Sequence, residues 1–172
     1  MKLEKKSVQE RKEFSKELYE KIFSITGKPK KILDLGCGLN PLNFLYKNIY
    51  YLACDVDNEA LKRVKKYFKK NKIKGEVFYF DVKQDDVNGL DKVDVVFSFK
   101  VFDIFNRNKK KALEVLKDIK SKYIVVSFAT KTARGKRMRY PRRKWFENLL
   151  LKLTYDYDII RYYNEVFYVV KK

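Results

Sequence analysis

The fold is indicated most clearly by one segment, Lys31-Ile32-Leu33-Asp34-Leu35-Gly36-Cys37-Gly38-Leu39-Asn40-Pro41. Its apolar beginning predicts a buried strand, and the two glycines predict a tight turn where a ligand approaches the backbone. Asp34 places a carboxylate near the carboxyl end of the strand, where open parallel sheets bind their ligands. The stretch is not a Walker A loop because no Gly-Lys-Ser/Thr follows, and it lacks the third glycine of the dinucleotide fingerprint. It predicts a pocket for a small nucleoside-bearing cofactor.

Strands and helices alternate along the rest of the chain. Strands are predicted at 32–35, 50–54, 76–80, 93–99 and 123–128, followed by a hairpin of 157–162 and 166–170 around Asn164. Helices are predicted at 7–25, just after Pro41, at 58–70 with Asn58 as N-cap, at 109–119, and at 141–151 with Pro141 in the first turn. Residues 129–144 are predicted to form a long loop. Repeated strand–helix units require a parallel sheet with right-handed crossovers, so we predict an α/β, Rossmann-like fold with a terminal antiparallel hairpin.

Composition limits the class of protein. A chain of 172 residues suits one domain, here 1–172 with residues 1–28 as an N-terminal helical extension. No apolar run is long enough to span a membrane and the N-terminus lacks a signal-peptide core, so we expect a cytoplasmic protein. With no histidine and only Cys37 and Cys54 as cysteines, we expect no metal site and two small buried thiols.

The charge predicts an RNA partner. The formal net charge is +19, and part of it is concentrated in residues 131–144, which contain no acid. Guanidinium groups suit phosphate oxygens, and such contacts position RNA without reading its sequence. The predicted RNA-binding residues are Lys131, Arg134, Lys136, Arg137, Arg139, Arg142 and Arg143.

Several motifs resemble one family. Asp-x-Gly-x-Gly is the first motif of the S-adenosylmethionine (SAM) methyltransferases, and Cys-Gly-Leu-Asn-Pro-Leu at 37–42 resembles the aminoglycoside-resistance 16S rRNA (guanine-N7) methyltransferases, the Arm, Rmt and Kgm group. Ser7, Glu10 and Arg11 match that family's Ser-Thr-Arg-Glu-Arg signature. Tyr-Leu-Ala-Cys-Asp-Val-Asp at 51–57 is similar to its Tyr-x-Ala-x-Asp-Ile-Asp strand. Residues 126–131, 134–138 and 145–147 resemble Ser-Phe-Pro-Thr-Lys, Arg-x-Lys-x-Met and Trp-Phe-Glu.

The resemblance implies a class I SAM-dependent methyltransferase with a seven-stranded, mostly parallel sheet. It also implies SAM as cofactor and rRNA of the small ribosomal subunit as partner. The resistance enzymes carry a substantial extra N-terminal domain, whereas about thirty residues precede the first predicted strand here. We therefore expect a short version of the family.

The first three predicted strands each carry an acid at their carboxyl end, namely Asp34, Asp55 and Asp81. In an α/β sheet these ends line one crevice. We expect Asp55 to accept hydrogen bonds from the ribose hydroxyls, with Asp57 as the alternative, and Asp81 to meet the adenine amine. Val56 or Val82 would pack against the adenine ring. Phe99 and Lys100 would lie beside the methionine part and the target base. The full predicted cofactor-binding set is Asp34, Gly36, Gly38, Asn40, Asp55, Val56, Asp81, Val82 and Phe99.

The residues after the fourth strand favour guanine N7 as acceptor. Attack on exocyclic amines commonly uses an Asn/Asp-Pro-Pro-Tyr-like motif there, but this chain has Ser-Phe-Lys-Val-Phe at 98–102. Both cysteines lie too early for cytosine C5 methylation. N7 bears a lone pair and no proton, so its methylation needs an in-line approach but no general base. The predicted catalytic residues are Lys100 and two aromatic residues for stacking on the base, Phe102 and Trp145; Phe105 is expected in the core.

The sequence thus predicts a SAM-dependent RNA methyltransferase that acts on guanine N7 of 16S-type rRNA. Two alternatives stay open at this point. One is a methyltransferase acting on tRNA or on adenine N1. The other is an RNA-binding or ribosome-assembly factor with a vestigial SAM pocket.

Overall fold

A computed structural model describes residues 15–44, 46–132, 135–136, 138 and 141–172. Within this part, one sheet contains β1 (Lys31–Leu35), β2 (Tyr50–Asp55), β3 (Gly75–Tyr79), β4 (Val93–Phe99), β5 (Ser121–Ala129), β6 (Asp156–Tyr162) and β7 (Glu165–Lys171). The strand order is β3-β2-β1-β4-β5-β7-β6. The first five strands pair in parallel, and β7 pairs antiparallel with both β5 and β6. The predicted seven-stranded sheet and its hairpin are confirmed.

Four α-helices cover the two faces of the sheet in the described residues. They are α1 (Ser15–Thr26), α2 (Asn58–Asn71), α3 (Lys109–Asp118) and α4 (Lys144–Lys152), with short 3₁₀ helices at Asn40–Asn43, Val87–Gly89 and Phe102–Phe105. None of these helices is long and apolar enough to cross a lipid bilayer. Successive strand residues point to opposite faces, so each strand contributes to two cores. The core under α1 and α2 contains Ile22 and Val64, and the core under α3 and α4 contains Leu116 and Leu150.

Helix α1 is part of one core. Its apolar residues recur at helical spacing, and Leu18, Tyr19 and Ile22 are at most 2% exposed. The hydroxyl of Tyr162 on β6 donates a hydrogen bond to Glu17 Oε2 at 2.6 Å. The remainder of the predicted helix at 7–25, and with it Ser7, Glu10 and Arg11 of the N-terminal signature, lies outside the described residues.

Two predicted helix starts differ from the structure. Asp57, not Asn58, is the N-cap of α2, and its Oδ1 accepts the backbone N–H groups of Glu59 and Ala60, both at 3.1 Å. Helix α4 begins at Lys144 rather than at Pro141. A contact with a strand distant in the sequence explains the later start: the N–H of Arg143 donates to the Tyr168 hydroxyl at 3.0 Å, which holds the residues before α4 against β7.

The topology brings several loops to one edge of the sheet. The carboxyl ends of β1, β2, β4 and β5 meet there, as parallel pairing requires. The turn between β6 and β7 lies at the same edge, because Ala129 at the end of β5 pairs with Glu165 at the start of β7. This edge carries both cavities described below.

Candidate active site

A cavity of about 400 Å³ opens at the carboxyl ends of β1, β2 and β4, where α/β sheets bind their ligands. This first cavity has a volume typical of small-molecule sites. Its lining includes the predicted residues Gly36, Gly38, Asp55, Val56, Asp81, Val82, Phe99 and Lys100, and also Cys37, Phe80, Lys83, Val101 and Ile104, which the sequence reasoning missed.

The glycine turn forms one wall of the first cavity. Gly36 has φ +70°, and a Cβ built on it would lie 2.5 Å from Val101 Cγ2. Gly38 has φ +52°, and a Cβ there would meet no atom within 4 Å. Both residues occupy the left-handed region that glycine adopts at little cost. Gly36 is therefore required by close packing, whereas Gly38 leaves open space beside the cavity.

Asp55 is the acid most firmly built into this wall. Its Oδ2 accepts the N–H of Gly38 at 2.7 Å, and its Oδ1 accepts the N–H of Asp57 at 2.9 Å. The residue is 8% exposed. A carboxylate offers about four acceptor positions, so these backbone bonds fix its orientation and leave capacity for further donors.

Asp34 and Asn40 lie beneath the turn and do not line the first cavity. Asp34 is 1% exposed, and its Oδ2 accepts both the Tyr51 hydroxyl at 2.6 Å and Asn40 Nδ2 at 2.8 Å. Asn40 Oδ1 accepts the Tyr19 hydroxyl at 3.3 Å. Burial, and then the charge of Asp34, raises the pKa of Tyr51 well above its ordinary value, which keeps this hydroxyl a donor. The structure thus corrects the prediction that Asp34 and Asn40 contact the cofactor directly: they support the turn.

The opposite wall combines an acid with apolar side chains. Asp81 Oδ1 accepts the N–H of Lys83 at 2.9 Å, and its own N–H donates to Asp85 Oδ2 at 2.7 Å, so the loop after β3 is held in place. Val82 is 7% exposed, whereas Val56 is 51% exposed. An apolar side chain this exposed at a cavity offers a face to a flat ring.

The two cysteines are free and buried, as the sequence predicted. Burial is the main reason why the pKa values of Cys37 and Cys54 are raised, and the nearby Asp34 raises them further. Both side chains therefore stay protonated at neutral pH and are poor nucleophiles. Among the described residues, no three His, Cys, Asp or Glu side chains gather as metal ligands.

Lys100 belongs to a buried polar group that we call the clasp, formed by Lys100, Ser127 and Glu165. Lys100 Nζ lies 3.0 Å from Glu165 Oε1, and the Ser127 hydroxyl donates to Glu165 Oε2 at 2.7 Å. The backbone N–H of Lys100 donates to Ser127 O at 3.0 Å, and Lys100 itself has φ +61°. The clasp joins the ends of β4, β5 and β7. Glu165 could have been noticed in the sequence as an acid directly before the apolar run 166–170 of β7.

The predicted stacking residues lie elsewhere. Phe102 is 0% exposed and packs edge-on against Phe146 with ring centroids 5.5 Å apart, and Phe105 is in the same core, as expected. Trp145 is half-buried and packs edge-on against Phe128 at 6.0 Å. Neither Phe102 nor Trp145 lines the first cavity. The structure corrects the prediction for Phe102, whose ring is in the core; Trp145 packs against that core and is partly exposed, so its role stays a prediction.

Two arginines of the predicted RNA-binding loop form ion pairs with acids of the protein. Arg143 Nε lies 3.2 Å from Asp103 Oδ1, its Nη2 donates to Ala129 O at 3.2 Å, and its guanidinium lies 5.2 Å from the centre of the Phe128 ring. Arg142 forms a two-point pair with Glu147, at 2.7 and 2.9 Å. Arg143 is therefore corrected from a phosphate-binding to a structural residue, whereas Arg142 stays 46% exposed in its side chain.

The other predicted cations divide into two groups. Lys136 is exposed and Lys131 is half-buried at the surface, and the loop between them is closed by the Thr132 N–H donating to Lys136 O at 2.8 Å. Arg134, Arg137 and Arg139 lie outside the described residues. The prediction for those three arginines stays a prediction.

This architecture defines a class of protein. A sheet of order β3-β2-β1-β4-β5-β7-β6, with a glycine turn after β1 and an acid at the end of β2, is the fold of the class I SAM-dependent methyltransferases. Residues 2–169 match the family model described as ribosomal RNA methyltransferase (FmrO), and the chain belongs to this family. The family resemblance inferred from the motifs is confirmed.

Proteins similar to this chain are described as 16S rRNA methyltransferases. A 16S rRNA (guanine(1405)-N(7))-methyltransferase of Proteus mirabilis is 32% identical over 129 residues, which are 70% of this chain and 44% of that protein. The protein of the same description from Frankia casuarinae is 27% identical over 173 residues, 96% of this chain and 61% of its own length. The solved structure of the 16S rRNA methylase ArmA has a TM-score of 0.78 at 26% identity, with coverage of 98% of this chain and 88% of that one. The chain thus spans 44 to 61% of the length of these two curated relatives.

Proposed function

We propose that the chain is a SAM-dependent RNA methyltransferase that transfers a methyl group to guanine N7 of 16S-type rRNA in the small ribosomal subunit. The observation that carries this proposal is the first cavity, in which Gly38 and the fixed carboxylate of Asp55 meet at the ligand edge of a methyltransferase fold. The family match supports the choice of rRNA as substrate. A ribosomal substrate implies a cytoplasmic location.

The residues of the first cavity suit the parts of SAM. Asp55 has acceptor capacity for two vicinal ribose hydroxyls, and the open side of Gly38 lets a ligand approach the backbone. Val56 and Val82 supply apolar contacts for adenine, and the Asp81 carboxylate suits its exocyclic amine. Phe99 and Lys100 then lie toward the methionine part and the acceptor base.

SAM supplies an electrophilic methyl group on a positively charged sulfur. The protein's part is to hold guanine N7 in line with that methyl, because N7 has a free lone pair and no proton to remove. Lysine is a common donor to guanine O6, which lies on the same edge of the base as N7, so we assign Lys100 to orienting the base. Glu165 and Ser127 hold the Lys100 side chain at the wall of the cavity, which makes them positioning residues.

The test is a methylation assay with purified small ribosomal subunits that lack guanine-N7 modification. The protein is incubated with radiolabelled SAM, and the rRNA nucleosides are analysed by mass spectrometry for 7-methylguanosine. SAM binding is measured in parallel by calorimetry. Asp55→Ala should weaken SAM binding more than tenfold, because each hydrogen bond to a charged acceptor contributes about 1.5–3 kcal/mol. The matched control is Asp91→Ala, which removes an acid 66% exposed in its side chain, near the start of β4 and outside the lining of the first cavity.

The outcomes separate the competing functions. Formation of 7-methylguanosine that is lost with Asp55→Ala and kept with Asp91→Ala supports the proposal. Label that enters tRNA in a parallel incubation, or that appears as 1-methyladenosine, contradicts the proposed substrate but not the transfer of a methyl group from SAM. RNA binding without SAM binding, unchanged by Asp55→Ala, contradicts the enzyme and favours an RNA-binding factor.

A further inference from the structure

A second cavity of about 430 Å³ lies beside the turn between β6 and β7. We call it the hairpin cavity, and its lining consists of Thr130, Lys131, Met138, Pro141, Arg142, Arg161, Tyr163, Asn164, Glu165 and Val166. None of the roles assigned so far uses Arg161, Tyr163 or Asn164. The cavity therefore needs its own explanation.

Backbone hydrogen bonds fix the shape of the hairpin cavity. The Thr130 N–H donates to Asn164 O at 2.8 Å, which ties the end of β5 to the turn. The Met138 N–H donates to Thr130 O, also at 2.8 Å, so Met138 is tied to the same residue. Thr130 thus connects Met138 with the turn between β6 and β7.

The hairpin cavity and the first cavity share a wall. Glu165 lines the hairpin cavity, and its carboxylate pairs with Nζ of Lys100, which lines the first cavity. The carboxylate itself is taken up by Lys100 and Ser127, so it adds little free negative charge to the surface. A polymer whose reacting base enters the first cavity would therefore place a neighbouring unit in the hairpin cavity.

The chemistry of the hairpin cavity suits a nucleotide. Tyr163 is 62% exposed, more than any other aromatic side chain among the described residues, and its φ of +52° holds it at the tip of a tight turn. Lys131 Nζ lies 5.9 Å from the centre of its ring. Arg161 adds exposed positive charge to the rim, where Arg142 is also found but is paired with Glu147. An exposed ring stacks on a base of any sequence, and cations beside it bind the phosphate.

We propose that the hairpin cavity binds one unpaired RNA nucleotide adjacent to the methylated guanine, with the base stacked on Tyr163 and the phosphate held by Lys131 and Arg161. This inference rests on the proposed function for the identity of the polymer. Tyr163 thereby takes the stacking role that the sequence analysis gave to Phe102, whose ring is in the core.

Binding of a fluorescein-labelled single-stranded RNA hexamer tests the hairpin cavity without requiring methylation. Tyr163→Ala should weaken hexamer binding about five- to 150-fold, the range that loss of one base–aromatic stack gives, and Tyr163→Trp should restore it. The matched control is Tyr79→Ala, which removes a ring of similar exposure, 56%, at the end of β3. Thermal unfolding and calorimetry with SAM verify that each variant is folded and keeps its first cavity.

Arg161→Ala tests the phosphate contact separately. It should reduce the slope of log affinity against log salt by about 0.7, the value for one phosphate of a single strand. Lys66→Ala, which removes an exposed cation from α2, should change the slope less. With small ribosomal subunits as substrate, Tyr163→Ala should raise KM by a factor similar to its loss of hexamer affinity.

The proposal is overturned if Tyr163→Ala and Tyr79→Ala have equal effects on hexamer binding, or if Tyr163→Trp fails to restore it. It is also overturned if Tyr163→Ala lowers kcat while hexamer binding is unchanged, since that result places the ring in another role. If the wild-type protein methylates no RNA at all, the proposed function fails. The hexamer measurements still decide whether the hairpin cavity binds a nucleotide.

Discussion

The clasp offers a quantitative prediction about a buried ion pair. The side chain of Glu165 is 5% exposed and that of Lys100 is 24% exposed, with 3.0 Å between Nζ and Oε1. Lys100→Met removes the cation and keeps most of the apolar stem. Glu165→Gln removes the anion and retains an oxygen that can accept the Ser127 hydroxyl. Each single variant, and the double variant, should fold with the same sheet.

The expected magnitudes follow from the unequal exposure of the two partners. Removing one partner of a fully buried pair costs about 3–5 kcal/mol, because a charge stays buried without its counterion. Lys100→Met leaves the more buried carboxylate and should cost about 3 kcal/mol in the free energy of unfolding. Glu165→Gln leaves an ammonium that can turn toward the water of the first cavity, so it should cost about 1 kcal/mol. In the double variant no unpaired charge is left, so the combined cost should fall short of the sum by about 1–2 kcal/mol.

Urea unfolding of the wild type, the two single variants and the double variant gives this double-mutant cycle. The slope of the free energy of unfolding against urea concentration should be the same for all four, which excludes a change in the unfolded state. The order of the single effects is the critical result. If Glu165→Gln costs more than Lys100→Met, the difference in burial does not set the energetics. If the two effects add within about 0.5 kcal/mol, the pair contributes no coupling and our assignment of Glu165 as a positioning residue is wrong.

Three further predictions concern the glycine turn, its buried support and the start of α4. Gly36→Ala should lower the free energy of unfolding by about 2 kcal/mol or more and weaken SAM binding, because its Cβ would lie 2.5 Å from a methyl group of Val101. Gly38→Ala should lower it by only roughly 1 kcal/mol, the cost of a left-handed φ for alanine, and equal losses for the two variants would contradict this. Tyr51→Phe should lower the free energy of unfolding by about 1–3 kcal/mol, since it removes a donor from buried Asp34, and an unchanged urea midpoint would refute it. Burial alone would raise the pKa of Glu147, but hydrogen bonds from Arg142 and Tyr168 lower it below 4.5, so the stability that Glu147 provides is present above about pH 4.5 and is lost as the pH falls. Glu147→Gln should therefore flatten the fall in the free energy of unfolding at acid pH, and identical profiles of stability against pH for the two proteins would contradict the assignment.

The sheet could be predicted well from the sequence because its strands end at polar or glycine residues that punctuate apolar runs. The fourth strand is an example: its predicted and observed bounds are both Val93–Phe99. The start of α4 could not be predicted. Pro141 is a legitimate first helical residue, but contacts of Arg143 with β5 and β7, which are distant in the sequence, hold the preceding residues outside the helix.

The candidate site could be predicted where a residue of suitable chemistry stands at the end of a strand. It could not be predicted where the role of a residue depends on which way its side chain points. Asp55 ends β2 and faces the cavity, whereas Asp34 lies one residue before the end of β1 and points into the core. A single sequence does not distinguish these two orientations. Phe102, which was predicted to stack on the base, is buried, and the exposed ring of Tyr163 was not predicted at all, because aromatic composition does not report which ring is buried.

The position of β7 has a consequence for how the protein is made. This strand is synthesised after β6, yet it inserts between β5 and β6 and pairs with both. Until residues 165–171 have emerged from the exit tunnel, β5 presents an unsatisfied backbone edge to the crowded surroundings of the nascent chain. Such an edge can pair with a foreign strand, so the growing polypeptide is exposed to strand mispairing until residues 165–171 are available to cover β5.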